Sequence, residues 1–216
     1  LPAVASHPAP ISFASGSGDT RLFPSEDFRK VIQAVMRRDG AEALDYGDAK
    51  GYSPLRATIA GVLTSQGLMA HAENILITGG SQQGLSLVVQ LLLKAGDTIL
   101  VENPTYSGAL SLFRALGLRI IGVAADQHGM RVEELESLLQ VHHPRLIYTM
   151  PTFQNPTGSC LSLPRRHQLL ALAERYNLPV LEDDYVGDLR YEGRSLPALK
   201  ALDNRACVRH VPVRDG

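Results

Sequence analysis

Two rhythms of apolar residues alternate along this chain. Short, nearly unbroken apolar runs at 75–78, 98–101, 118–123, 146–149 and 179–182 read as strands. Between them, at 81–94, 106–116, 131–141 and 164–176, apolar residues recur at helical spacing. Upstream, Ser25 is placed to cap a helix over 26–38 with Phe28, Val31, Ile32 and Val35 on one face. Residues 45–51 form a Gly-containing loop, and Ser53 followed by Pro54 opens a helix that ends before Gly67. Apolar strands that alternate with helices of this length predict an α/β fold: a mostly parallel sheet with helices on both faces. Residues 1–24, with scattered Pro, Gly and Ser, read as an arm or linker, 25–208 as the α/β domain, and 209–216 as a tail that breaks the pattern.

Composition narrows the field only mildly. A net charge of −1 and 44% hydrophobic residues in 216 describe an ordinary globular chain with no basic surplus for a nucleic-acid surface. Cys160 and Cys207 lie far apart, without the paired spacing of a zinc site or a disulfide framework. The histidines suggest no metal site; His142-His143 ahead of Pro144 reads as a surface corner. The apolar stretch 85–93 is interrupted by Ser86 and Gln90 and is too short to span a bilayer. Leu1-Pro2-Ala3-Val4 is neither an initiator methionine nor a charged signal-peptide start, so the chain is expected to have been cut or to begin inside a longer one.

Chemistry-bearing residues collect where ligands of such sheets bind, outside the carboxyl ends of the strands. After 75–78 comes Gly79-Gly80-Ser81-Gln82-Gln83-Gly84, either an anion cradle of helix-start N–H groups or a plain turn with Ser81 as N-cap. It has neither dinucleotide-site nor P-loop spacing. After 98–101 comes Glu102-Asn103-Pro104-Thr105-Tyr106, where Tyr106 either stacks on a planar ligand or packs at a helix start. After 146–149, the Asn155-Pro156-Thr157-Gly158 turn offers an amide for a phenolic oxygen, or a simple Asx turn. The run 179–182 ends in Glu182-Asp183-Asp184-Tyr185. A carboxylate there keeps a pyridinium nitrogen protonated, because opposite charges favour both ionised forms. Glu182 and Asp184 are expected to serve as caps or exposed charges.

These four motifs, in this order, resemble the class I/II aminotransferases, fold-type I enzymes dependent on pyridoxal 5′-phosphate (PLP). Leu22-Phe23-Pro24, Asp45-Tyr46-Gly47, Gly51-Tyr52-Ser53-Pro54-Leu55-Arg56 and Asp188-Leu189-Arg190-Tyr191 are similar to two groups within it. These are the 2-aminoadipate and kynurenine aminotransferases, and the aminotransferase-like domain of MocR-type GntR-family regulators. The resemblance implies that Gly80, Ser81 and Gln82 hold the PLP phosphate and that Tyr106 stacks on the ring. It implies that Asn155 and Tyr185 bond the phenolic oxygen, that Asp183 pairs with the ring nitrogen, and that Tyr46 reaches the phosphate of a second subunit. By the same resemblance Asn103–Pro104 and Asn155–Pro156 are candidate cis peptides, against the general trans preference. The implied reaction passes an amino group from an amino acid to a 2-oxo acid in a cytoplasmic homodimer, with PLP as electron sink.

One family part has no counterpart. The lysines are Lys30, Lys50, Lys94 and Lys200; none follows the Asp-Asp-Tyr motif at the distance of the Schiff-base lysine, and Lys200 reads as a surface residue. Where an apolar strand is expected after Asn204-Arg205, Arg209 and Pro212 fit a buried central strand poorly. A truncation or frame change near 208 is therefore expected, leaving a chain of marginal stability with an exposed apolar edge. Three readings stay open: most of the large domain of a transaminase, the PLP-sensing half of a regulator whose winged helix lies upstream, or a relic without activity.

Overall fold

The computed structural model describes residues 19–187, 189–204 and 207–212, so most of the expected arm lies outside the described residues. The chain divides into two compact units, Leu1–Gly47 and Asp48–Gly216. In the first unit, helix α1 (Ser25–Asp39) runs into a short 3-10 turn at Gly40–Leu44. Phe28, Val31 and Ile32 form its apolar face and are exposed, while Phe23 packs on Phe28 with ring centroids 5.8 Å apart.

The second unit opens with α2 (Ser53–Ser65) and α3 (Ser81–Leu92). There follow β1 (Thr98–Asn103), α4 (Ser107–Ala115), β2 (Arg119–Asp126), β3 (Gly129–Met130), α5 (Leu135–His142) and β4 (Leu146–Thr149). Helix α6 (Leu163–Arg175), β5 (Val180–Asp184), the short α7 (Leu199–Leu202) and β6 (Val208–Pro212) complete it. The strands lie in the order β3-β2-β1-β4-β5-β6, all neighbours parallel except the antiparallel β2–β3 pair. Side chains alternate across the sheet, which makes two cores. On one face Leu100, Ile147 and Val180 pack with Leu135, Leu139, Leu169 and Ala173 of α5 and α6. On the other Ile99, Val101, Leu146, Tyr148 and Leu181 meet Leu85, Val89, Ala109 and Phe113 of α3 and α4. Helices thus cover both faces, which is why β1 and β4 read as unbroken apolar runs.

Several expectations need correction. Residues 75–78 form no strand; Ile77 N–H bonds only the Lys50 carbonyl (2.9 Å), and no strand of the sheet lies beside them. Ser25, Ser53 and Ser81 are the first helical residues, with Pro24, Tyr52 and Gly80 at the cap positions and no side-chain cap bond at any of the three. The segment 131–141 splits into a 3-10 turn (Val132–Glu134) and α5. Beyond 208 the chain continues in register beside β5, with Glu182 opposite His210 and Asp184 opposite Pro212. Among the described residues β6 is the last strand on that side of the sheet, and Arg209 on it is exposed, so it does not enter the core.

Candidate functional site

From β1 the chain turns to β2 on one side and later crosses to β4 on the other, so the sheet's switch point lies between β1 and β4. In open α/β sheets that crevice, outside the carboxyl ends, is where ligands bind. The loops after β1 and β4 are fastened together there by Gln154, which is buried. Its Nε2 donates to the Pro104 carbonyl (2.8 Å), while its Oε1 accepts from Thr157 N–H (3.0 Å) and Oγ1 (2.7 Å). The Asn103–Pro104 and Asn155–Pro156 peptides are both cis, as the resemblance implied.

A second link joins the glycine-rich turn to the loop after β1. Gln82 Nε2 donates to the Gly108 carbonyl (3.1 Å), tying the first turn of α3 to the first turn of α4. Gly80, at φ 144°, is the cap residue of α3, in a conformation open to glycine and rare for other residues. Gln83 Oε1 accepts from Gly79 N–H (2.6 Å), while the cap residue Gly80 makes no side-chain cap bond, and the helix dipole there favours an anion. Tyr106 folds back over Gly108; a Cβ there would sit 2.4 Å from Tyr106 Cζ. Gly108 is what lets the half-buried ring lie where it does.

Asp183 ends the row. It is buried, 3% exposed, and its Oδ2 accepts from the Tyr148 hydroxyl at 2.7 Å. Its Oδ1 is buried with no hydrogen-bond partner, as is Thr105 Oγ1 at the end of the β1 loop. Such orphans are uncommon, and an acceptor left open near the carboxyl end of β5, the strand beside the switch point, is what a ligand N–H requires. Burial pushes the Asp183 carboxyl above its ordinary range; the Tyr148 bond opposes that, Asp184 adds to it and His210 opposes it.

Neighbouring acids do structural work. Glu102 accepts from Thr149 Oγ1 (2.8 Å) and Met150 N–H (3.0 Å), fastening the ends of β1 and β4. Burial raises it to about 7 against these bonds and that of Gln154, with the Asp183 charge adding to the rise. Glu182 is a cap, as expected, and a buried one: it accepts from Leu199 N–H (2.7 Å) and Lys200 N–H (2.9 Å) at the start of α7 and bonds His210 Nδ1 (3.0 Å). Lys200 Nζ pairs with Asp203 (3.2 Å).

In the second unit Asp183 lies near the end of β5 with Tyr185 just past it, Tyr106 and Asn155 lie in the loops after β1 and β4, and Gly80, Ser81 and Gln82 lie at the start of α3, which follows no strand and is tied to the start of α4 through Gln82. Asn155 and Tyr185 are exposed, and Tyr46, in the first unit, is fully exposed. Tyr148, Gln154 and Arg166 escaped the sequence reading. Arg166 is fully buried and holds the loop that carries Asn155, donating to the Leu161 (2.9 Å), Pro151 (2.7 Å) and Pro197 (3.0 Å) carbonyls and to Thr152 Oγ1 (3.0 Å). No local sequence signal marks it: adjacent helical residues can both face solvent, and its partners lie in distant loops. Taken together, an uncapped helix N-terminus, an aromatic ring and a buried open carboxylate suit a flat, phosphorylated heterocycle with a protonated ring nitrogen. Among the described residues no group of three His, Cys, Asp or Glu side chains could hold a metal ion, and no helix is long and apolar enough to cross a membrane.

Comparison with known proteins bears on the same residues. Residues 13–209 match the family Aminotransferase class I and II. The 2-aminoadipate transaminase of Thermus thermophilus is 38% identical over 199 residues, covering 92% of this chain and 49% of that protein. The crystal structure of Pyrococcus horikoshii kynurenine aminotransferase, in complex with PMP, superposes with a TM-score of 0.88 at 38% identity, over 94% of this chain and 52% of that one. An uncharacterized HTH-type transcriptional regulator of Escherichia coli, YdcR, is 34% identical over 94% of this chain and 44% of its own length. The chain spans about half the length of the curated relatives it matches.

Proposed function

The chain belongs to the class I and II aminotransferase family, and from that premise we propose that its second unit holds PLP and forms the larger part of a transaminase site. The observation that carries this reading is Asp183: a buried carboxylate near the carboxyl end of β5, the strand beside the switch point, with one oxygen engaged and the other open. When bound, PLP supplies an electron sink for the charge left as an amino-acid Cα loses its proton. Asp183 keeps the ring nitrogen protonated, which its negative charge favours. Gly80, Ser81 and Gln82 at the start of α3 hold the phosphate, Tyr106 covers the ring, and Asn155 and Tyr185 bond the phenolic oxygen. The reading includes an amino-acid donor, a 2-oxo-acid acceptor, a cytoplasmic setting and a homodimer in which Tyr46 reaches the phosphate of the second copy. None of Lys30, Lys50, Lys94 and Lys200 is assigned the role of the cofactor-bearing lysine.

Equilibrium dialysis of the full chain against PLP and against pyridoxal tests the reading. The expected result is saturable retention of one PLP per chain and far weaker retention of pyridoxal, which lacks the phosphate for α3. Equal retention of both, or none, would overturn it.

A second reading, a PLP-responsive half of a transcription regulator, is favoured by the match to YdcR over nearly all of this chain. An assay of the full-length gene product separates the two. Amino-group turnover identifies the enzyme, and a PLP-dependent shift of operator DNA identifies the regulator.

A further inference from the structure

We propose that Tyr148 is a positioning residue that fixes where the proton shared by Asp183 and a bound ring nitrogen resides. The inference rests on the PLP reading above. Tyr148 sits in the middle of the sheet, opposite Val101 of β1 and Leu181 of β5. Leu181 and Asp183 share a sheet face, so the Tyr148 side chain runs along β5 and its hydroxyl reaches Asp183 Oδ2 at 2.7 Å. The ring is fully buried and packs edge-on against Phe113, centroids 5.4 Å apart at 77°. Its hydroxyl is spent on Asp183.

A carboxyl facing a heteroaromatic nitrogen can share a proton in two ways, as carboxylate with pyridinium or as carboxylic acid with neutral pyridine. Burial and the charge of Asp184 make Asp183 more basic and favour the second arrangement. A hydroxyl donated to Oδ2 stabilises the carboxylate and favours the first, and it leaves Oδ1 as the acceptor for the ring. His210 on β6 acts in the same direction as Tyr148, and Glu102 on β1 and Tyr106 at the start of α4 also act on the Tyr148 hydroxyl. No other described side chain donates to Asp183. Tyr148 therefore decides whether the ring nitrogen carries a full positive charge.

The test compares the full chain with Tyr148→Phe, which keeps the ring that packs on Phe113. The probe is pyridoxamine 5′-phosphate labelled with 15N in the ring, read by its nitrogen chemical shift and by calorimetric affinity. The expected result is a pyridinium-like shift in the unsubstituted chain that moves toward neutral pyridine in Tyr148→Phe, with affinity weaker by about tenfold. A pyridoxamine 5′-phosphate analogue with CH in place of the ring nitrogen should bind both proteins equally. An unchanged shift and affinity would overturn the inference. So would equal weakening toward the CH analogue, which marks a merely structural role. If the unsubstituted chain binds no pyridoxamine 5′-phosphate, the PLP reading fails and the inference falls with it.

Discussion

Glu102 and Asp183 are carboxyls made basic by burial, and each leaves a mark on stability. Glu102 titrates near 7 in the folded chain against an ordinary 4.5. Below 4.5 it is protonated in both states; between 4.5 and 7 the folded chain holds a proton that the unfolded chain has released. Stability should therefore fall as pH rises from about 4.5 through 7, and Asp183, raised as well, adds a slope of the same sign. Urea midpoints measured across that window should decline with pH, and Glu102→Gln should flatten the decline. A profile that rises instead would contradict the assignment. Gly108→Ala is a second residue-scale case. Its new Cβ would meet Tyr106 2.4 Å away, and the ring, being the free end of a side chain, should swing aside. Fluorescence titration with PLP should then show weaker binding while the melting temperature moves little.

Among elements, the loop 151–161 depends on Arg166. Burial lowers the pKa of its guanidinium, and four oxygens of the chain surround it. Arg166→Met leaves those oxygens buried and unbonded, and should cost on the order of 3 kcal/mol in urea unfolding. Arg166→Lys should rescue little, since an ammonium cannot reproduce the planar fork. At this scale the sequence was legible where a signal was local. Strand 146–149 and the helices α3, α4 and α6 were found from periodicity, because both faces of the sheet are covered and its centre is continuously apolar. The segment 75–78 has the composition of a strand, but a strand needs a paired neighbour and Ile77 has only Lys50. The two-residue β3 carries no periodicity at all. In the site, the motifs after β1, β4 and β5 were legible because they follow apolar runs that do form strands, whereas the run ahead of Gly79-Gly80-Ser81 forms none. Tyr148 and Arg166 were not legible: inside an apolar run a tyrosine reads as core filling, and beside Arg165 a second arginine reads as surface. Their roles depend on partners far off in sequence.

Over the whole molecule, large apolar side chains stand exposed in each unit, among them Phe28, Val31 and Ile32 in the first and Leu87 and Leu91 in the second. The proposed homodimer gives such faces a use, and light scattering of the purified chain should show a dimer that Val31→Asp weakens. A ligand that binds only the folded chain raises its melting temperature in proportion to the logarithm of its concentration. PLP should therefore raise the melting temperature of this chain, and by less in Asp183→Ala. The measurement closest to the central claim is isothermal titration calorimetry of the full chain and of Asp183→Ala with pyridoxamine 5′-phosphate, an amine that cannot react with surface lysines. The expected result is one saturable site, weakened at least about tenfold by the substitution, as the loss of a charge-assisted hydrogen bond requires. No saturable heat, or the same affinity in both proteins, would contradict it.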